Sequence, residues 1–240
     1  MTKQIVDVVY HNSERLFPLS ISGTGLPHPR DYGLHPFMIS TACWRGFYCE
    51  YTIREDRLWL TRLVVRHDGE YPVIDGVKAL YEEDRFLAAD EEEPEFLLGR
   101  LVFQETVKDS ETIIRELHYD GGIYENLNVP ASFTGGILVN MGDVDVPYIQ
   151  YDFNYLSSSE TILELLFEKG VLVKTIDHSA AVAAKRDELV KKQRPEYKRA
   201  GYDLFEADIK TWIRSTLTLD YNFHDMSWLR EIYARPEGAT

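Results

Sequence analysis

The chain has 240 residues, 44% of them apolar and 12% aromatic, and a formal net charge of −14. That apolar share builds a core and excludes a disordered chain, while the negative field disfavours nucleic acid and anionic membranes and favours a protein partner with a basic surface. No segment approaches the eighteen or so apolar residues of a membrane span, and no apolar run of signal-peptide length follows Met1, so the expected location is the cytoplasm.

Ile5 to Tyr10 is short and β-branched and reads as a strand. Residues 17–37 hold Pro18, Pro27, Pro29 and Pro36 together with Gly23, Gly25 and Gly33. That composition opposes regular structure and predicts a long irregular loop, a place where function often resides. The segment from Cys43 to Arg66 is the most specific feature. Phe47, Cys49, Tyr51 and Ile53 alternate with Tyr48, Glu50, Thr52 and Arg54, the period of a strand with one apolar face. Arg54 to Arg57 reads as a turn. The return strand is apolar on both faces, with Leu58, Leu60 and Val64 on one and Trp59, Leu63 and Val65 on the other. Cys43 and Cys49 lie roughly 20 Å apart at strand rise, too far for a disulfide, so both are expected to be reduced.

Residues 82–95 form an acidic loop, where Glu82, Glu83, Asp84, Asp90, Glu91, Glu92, Glu93 and Glu95 face a single Arg85. These eight are the candidate partner-binding residues, because a concentrated acidic face speeds association with a basic partner. Strands are expected again at 97–104, 113–119, 123–129, 137–140 and 148–153. Gly121-Gly122 is read as a hairpin turn, and Gly135-Gly136 and Gly142-Asp143 as brackets. After Leu156 the reading turns helical. Ser157-Ser-Ser-Glu160 has the form of a capping box before Ile162, Leu163, Leu165, Leu166 and Phe167, with Gly170 as C-cap. Val171 to Ile176 reads as an added strand, Ser179 to Gln193 as a helix, and Asp203 to Leu217 as a helix opened by a second capping box; Ser227 is expected to cap a last one. The stretch Lys185 to Arg199 is net basic.

Strands followed by helices indicate an α+β fold: an antiparallel β-rich core over residues 1–155, with helices from residues 156–240 packed on the sheet within the same domain. No nucleotide-binding signature or Cys/His ligand set appears, so no cofactor or metal is implied. Asp143 and Asp145 share a strand face but have no third ligand. Histidine is the commonest general base, so His28, Asp31 and His35 in the loop, with Arg45 at the Trp44 corner, are the candidate catalytic residues.

Ser40-Thr-Ala-Cys-Trp-Arg-Gly-Phe-Tyr-Cys-Glu-Tyr-Thr-Ile53, followed by Leu58-Trp-Leu-Thr-Arg-Leu63, resembles an uncharacterised bacterial family with a Ser/Thr-x-x-Trp-Arg-Gly-aromatic hairpin motif. The resemblance spans residues 37–66 and implies no activity. The family's Trp-Phe-Ser/Thr-Gly-type segment is absent before Tyr124-Glu125. The Trp44-Arg45-Gly46 triplet itself reads as a folding corner, with glycine easing the entry into the strand. Two functions are expected from these features. One is a non-enzymatic interaction protein of the immunity or accessory kind that occludes a partner through acidic and aromatic surfaces. The other is an enzyme with its site at the 17–37 loop and the Trp44-Arg45 corner.

Overall fold

The computed structural model of the protein describes residues 4–80, 87–88, 102–106, 112–116, 121–145, 151–192 and 206–223. In chain order the strands are β1 (Val8–His11), β2 (Glu14–Thr24), β3 (Phe47–Arg54), β4 (Arg57–Val65), β5 (Leu87–Ala88), β6 (Val102–Thr106), β7 (Thr112–Glu116), β8 (Gly122–Tyr124), β9 (Val129–Pro130), β10 (Thr134–Asp143), β11 (Ser159–Glu168) and β12 (Val171–Asp177). The helices are α1 (Tyr151–Ser157), α2 (Ser179–Lys192) and α3 (Glu206–Thr216). Strands β5, β7 and β6 form a separate three-stranded sheet.

Seven strands run in the order β12-β11-β10-β2-β1-β3-β4 and close into a barrel, because β4 returns to β12 at Arg57 and Val171. Every pair is antiparallel except β1 and β3. Leu58 N–H donates to the Gly170 carbonyl at 2.9 Å and Leu172 N–H to the Asp56 carbonyl at 2.6 Å, and these bonds seal the seam. The remainder of that β4 edge pairs with β9 at Trp59 and Leu60 and with β8 at Leu63 to Val65. Three two-residue turns, Asn12-Ser13, Glu55-Asp56 and Lys169-Gly170, have positive φ at both positions. Such turns match the twist of the strands they join, so three hairpins close with minimal loop.

The expected α+β arrangement is overturned. The sheet does not need helices over its apolar face, because it curls on itself and turns that face inward. Val9, Leu16, Cys49, Tyr51, Leu58, Leu60, Leu63, Val65, Phe133, Ile137, Val139, Leu165 and Phe167 meet there, with Leu34 among them. A barrel of this size is filled by its own side chains. The three short helices gather instead around a second, smaller cluster outside the wall. There Leu138 of β10 and Ile162 of β11 pack with Phe153, Val182, Leu189, Ile209 and Ile213.

Local corrections follow. The run after Ser157 is strand β11, not a helix. Its two faces are both apolar, Leu163, Leu165 and Phe167 toward the barrel core and Ile162 toward the helices, and an apolar run without alternation looks the same in either structure. The segment 148–153 is no strand where it is described, since α1 begins at Tyr151. Residues 17–24 of the expected loop belong to β2. Pro18 is tolerated there because the β2–β10 register slips by one between Leu138 and Val139, and such bulges accommodate a residue without an N–H. A bulge in β4 also shifts parity: Glu50 faces Arg62, yet Tyr51 faces Leu60. Leu63 and Val65 therefore join Leu58 and Leu60 inside, whereas Val64 and Trp59 turn away from the barrel core. Gly121-Gly122 leads into β8 rather than forming a hairpin turn, and Gly135-Gly136 and Gly142-Asp143 both lie within β10.

Among the described residues no helix is long and apolar enough to cross a membrane.

Candidate functional site

The Trp44-Arg45-Gly46 corner is built around Asp7, which precedes β1. Its carboxylate accepts from Arg45 Nη1 at 3.0 Å and Nη2 at 2.6 Å, and from the Cys49 backbone N–H at 2.7 Å. Gly46 has φ +76°, and a Cβ there would collide with the Phe37 backbone. The Trp44 indole N–H donates to the Thr41 carbonyl at 2.6 Å. Burial raises both the Cys43 and Cys49 thiols, so they stay protonated and unreactive. Both cysteines are free. Arg45 thus fixes a buried carboxylate bidentately. Arg45→Ala is expected to lower stability by about 2–3 kcal/mol, with Arg45→Lys recovering part of that, as measured by urea unfolding.

His28 opens a 3-10 turn, Pro29–Tyr32, as its N-cap. Its Nδ1 accepts from the Arg30 N–H at 3.2 Å, and its own N–H donates to Asp31 Oδ2 at 2.8 Å. The imidazole stands edge-on to Phe47 at 4.9 Å, and the Arg45 guanidinium lies over the same ring at 4.9 Å. Two of the four catalytic candidates, His28 and Arg45, therefore meet at the Phe47 ring, and Asp31 is tied to the His28 backbone. His35 does not share these contacts. Its N–H donates to His67 Nδ1 at 3.0 Å, and its ring lies 6.0 Å from that of His67. Each of these polar contacts holds backbone or a buried partner in place. Among the described residues no group of three or more His, Cys, Asp or Glu could hold a metal ion. Glu82, Glu83, Asp84, Asp90, Glu91, Glu92, Glu93 and Glu95 lie outside the described residues, as does the helix expected at Ser227.

A second polar centre escapes a reading that makes β11 a helix. Glu164 of β11 points outward, and its side chain is 0% exposed. Its Oε1 accepts from Tyr221 OH at 3.0 Å and from the Thr218 N–H at 3.0 Å. Its Oε2 lies 2.9 Å from His178 Nε2, whose N–H donates because an ionised carboxylate only accepts. Burial by itself would raise the Glu164 carboxyl. The hydrogen bonds from His178, Thr218 and Tyr221 outweigh it and hold the group below the usual range. Burial and then the Glu164 charge push the Tyr221 hydroxyl well up. Gly136 makes the room, since a Cβ there would strike Tyr221 OH. A single carboxylate inside the apolar run Ile162 to Phe167 was the signal in the sequence. The basic stretch is partly internal too. Lys185 donates to Asp208 at 2.9 Å and Glu188 at 3.2 Å, and Arg186 to the Ser157 carbonyl at 3.0 Å.

The outer face of the β3–β4 hairpin is open at Arg54, whereas Tyr48 on the same face is buried. Arg54 stacks over Trp59 at 5.2 Å, and Arg62 lies 5.9 Å from the Tyr48 ring while bonding Glu50 at 3.1 Å and Glu125 at 2.8 Å. Arg66 stacks over Phe37 at 4.7 Å. Stacking and ion pairing hold these long side chains in defined positions on a closed wall.

No family model, curated protein or solved structure matches this chain.

Proposed function

We propose that the protein is a non-enzymatic interaction protein, of the immunity or accessory kind, that occludes a partner with a basic surface. The observation that carries this reading is the Arg–aromatic strip on the outer face of the β3–β4 hairpin. Trp and Arg are among the residue types that dominate binding energy at protein interfaces, and here Arg54 and Trp59 are pre-ordered before any partner arrives, whereas Tyr48 is buried and Arg62 largely so. The barrel interior is packed with side chains, and the buried carboxylates Asp7 and Glu164 are hydrogen bonded within the fold. The net charge of −14 favours encounter with a basic partner and gives it a salt-dependent rate.

The test is affinity purification of the tagged chain at native level, followed by titration of any stoichiometric partner against Arg54→Ala/Trp59→Ala protein. The expected result is a complex weakened about tenfold or more by the double substitution, with the unfolding transition of the free chain shifted little. Absence of a stoichiometric partner, or a complex indifferent to both substitutions, would count against the proposal.

A further inference from the structure

The β3–β4 hairpin closes on the two-residue turn Glu55-Asp56, so Arg54 and Arg57 stand directly opposite each other as its last cross-strand pair. Side chains in such a pair leave the same face with Cβ atoms roughly 5 Å apart, and like charges there repel. Both residues are exposed. Other cations of this acidic chain meet carboxylates: Arg45 meets Asp7, Arg62 meets Glu50 and Glu125, and Lys185 meets Asp208 and Glu188. Among the described residues neither Arg54 nor Arg57 is in an ion pair, although Glu55 and Asp56 lie between them in the turn.

Arg54 is also held in place. Its guanidinium lies over the Trp59 ring at 5.2 Å, and its Nη2 donates to Asn128 Oδ1 at 2.7 Å. Asn128 is fixed in turn, because its backbone N–H donates to Asp75 Oδ2 at 3.0 Å. A guanidinium carries five N–H donors, and Asn128 takes one of them. Stacking on Trp59 uses the flat of the guanidinium and leaves the other donors along its edge. A positioned guanidinium, with a second one opposite it and an indole beside it, is suited to a planar oxyanion that accepts from two N–H groups at once. The net charge of −14 opposes a polyanion far more than it opposes a single carboxylate.

We infer that Arg54 and Arg57 form a receptor for one carboxylate, an Asp or Glu side chain that a protein partner places against Trp59. This names the chemistry of the contact on the face proposed above and rests on that reading for the partner's existence. The long-range field steers a basic surface toward the chain, and the one acid within that surface fixes its register at the hairpin tip. Its charge also relieves the repulsion that the chain bears when alone. Arg57 pairs with Val171, so the receptor sits where β4 meets β12 at the barrel seam.

The test is NMR of the full chain, following the Arg54 and Arg57 Nε–H and the Trp59 indole N–H. The probe is the capped peptide Lys-Gly-Glu-Gly-Lys, which sets one carboxylate among basic residues; the comparators are the same peptide with Gln for Glu and inorganic phosphate. The Glu peptide should shift all three signals saturably, and should bind about tenfold or more tighter than the Gln peptide and more tightly than phosphate. Arg57→Gln should weaken it about tenfold. Arg57→Glu should abolish binding and yet raise the Tm of the free chain by about 1–3 °C, because an opposite charge then faces Arg54. A residue kept only for the hairpin would not gain stability on that change. Four results overturn the inference: equal binding of the Glu and Gln peptides, phosphate bound at least as tightly as the Glu peptide, binding indifferent to Arg57→Gln, or a lower Tm for Arg57→Glu. The peptides are titrated on the chain alone, so failure here leaves the partner reading to its own purification test. A purified complex that ignores Arg57→Gln would overturn the receptor and leave that reading standing.

Discussion

Glu164→Ala is expected to cost about 3–5 kcal/mol, the largest loss from any single polar side chain described here, read by urea unfolding near neutral pH. The reason is what it leaves behind. His178, Tyr221 and Thr218 all direct donors at this carboxylate, and with Ala in its place three donors, two of them on buried side chains, lose their acceptor. Glu164→Gln keeps an oxygen for Thr218 and Tyr221 and turns an amide toward His178, whose imidazole can present its unprotonated nitrogen. Its cost should be nearer 1–2 kcal/mol. The contacts also join distant parts of the chain, since β11 supplies the acceptor and the segment after α3 supplies two of the donors. Loss of the residue should therefore release the 217–223 segment as well as lower global stability.

The same carboxylate gives a pH dependence of defined sign. Its folded-state pKa is lowered, so its contribution is complete above the ordinary glutamate value of about 4.3 and is lost as pH falls toward the folded value. Acidification from about pH 5 to about pH 3 should destabilise the unmodified chain more than Glu164→Gln, which has no proton to take up. Equal losses in the two proteins would show that Glu164 is not the group responsible.

Gly170→Ala is expected to reach about 3–4 kcal/mol through the backbone. Gly170 has φ +81°, and a Cβ would collide with the Ala131 carbonyl. Its N–H donates to the Phe133 carbonyl at 2.7 Å and its carbonyl accepts from Leu58, so the turn cannot move without opening the β12–β4 seam. Gly76→Ala separates the two causes. Gly76 has a similar φ of +75° but nothing within 4 Å, so only the left-handed conformation is penalised, at about 1 kcal/mol. A Gly170 variant no less stable than the Gly76 variant would show that the seam does not depend on this close approach.

The sequence by itself determined what depends on neighbours along the chain. The alternation from Phe47 to Arg54 placed β3, and the polar Arg54 to Arg57 stretch marked its turn, because a two-residue turn and a period of two are local properties. Val171 to Ile176 as a strand, and the helices near Ser179 and Glu206, were legible for the same reason. The folding corner at Trp44-Arg45-Gly46 was legible from its glycine. What depends on contacts distant in sequence was not legible. Whether Ile162 to Phe167 is helix or strand follows from its being buried on both sides, by the barrel within and the helices without, and a run apolar on both faces but for Glu164 carries no clear period to show it. Pro18 sits in a strand only because β10 slips its register opposite. Closure itself rests on the pairing of Arg57 with Val171, nearly half the chain apart. That pairing turns the apolar face inward, leaves the helices outside the wall, and puts Arg54 and Trp59 on the outer face of the hairpin. The residue types that carry the proposed function were visible in the sequence, and only the closed barrel decided which of them point outward.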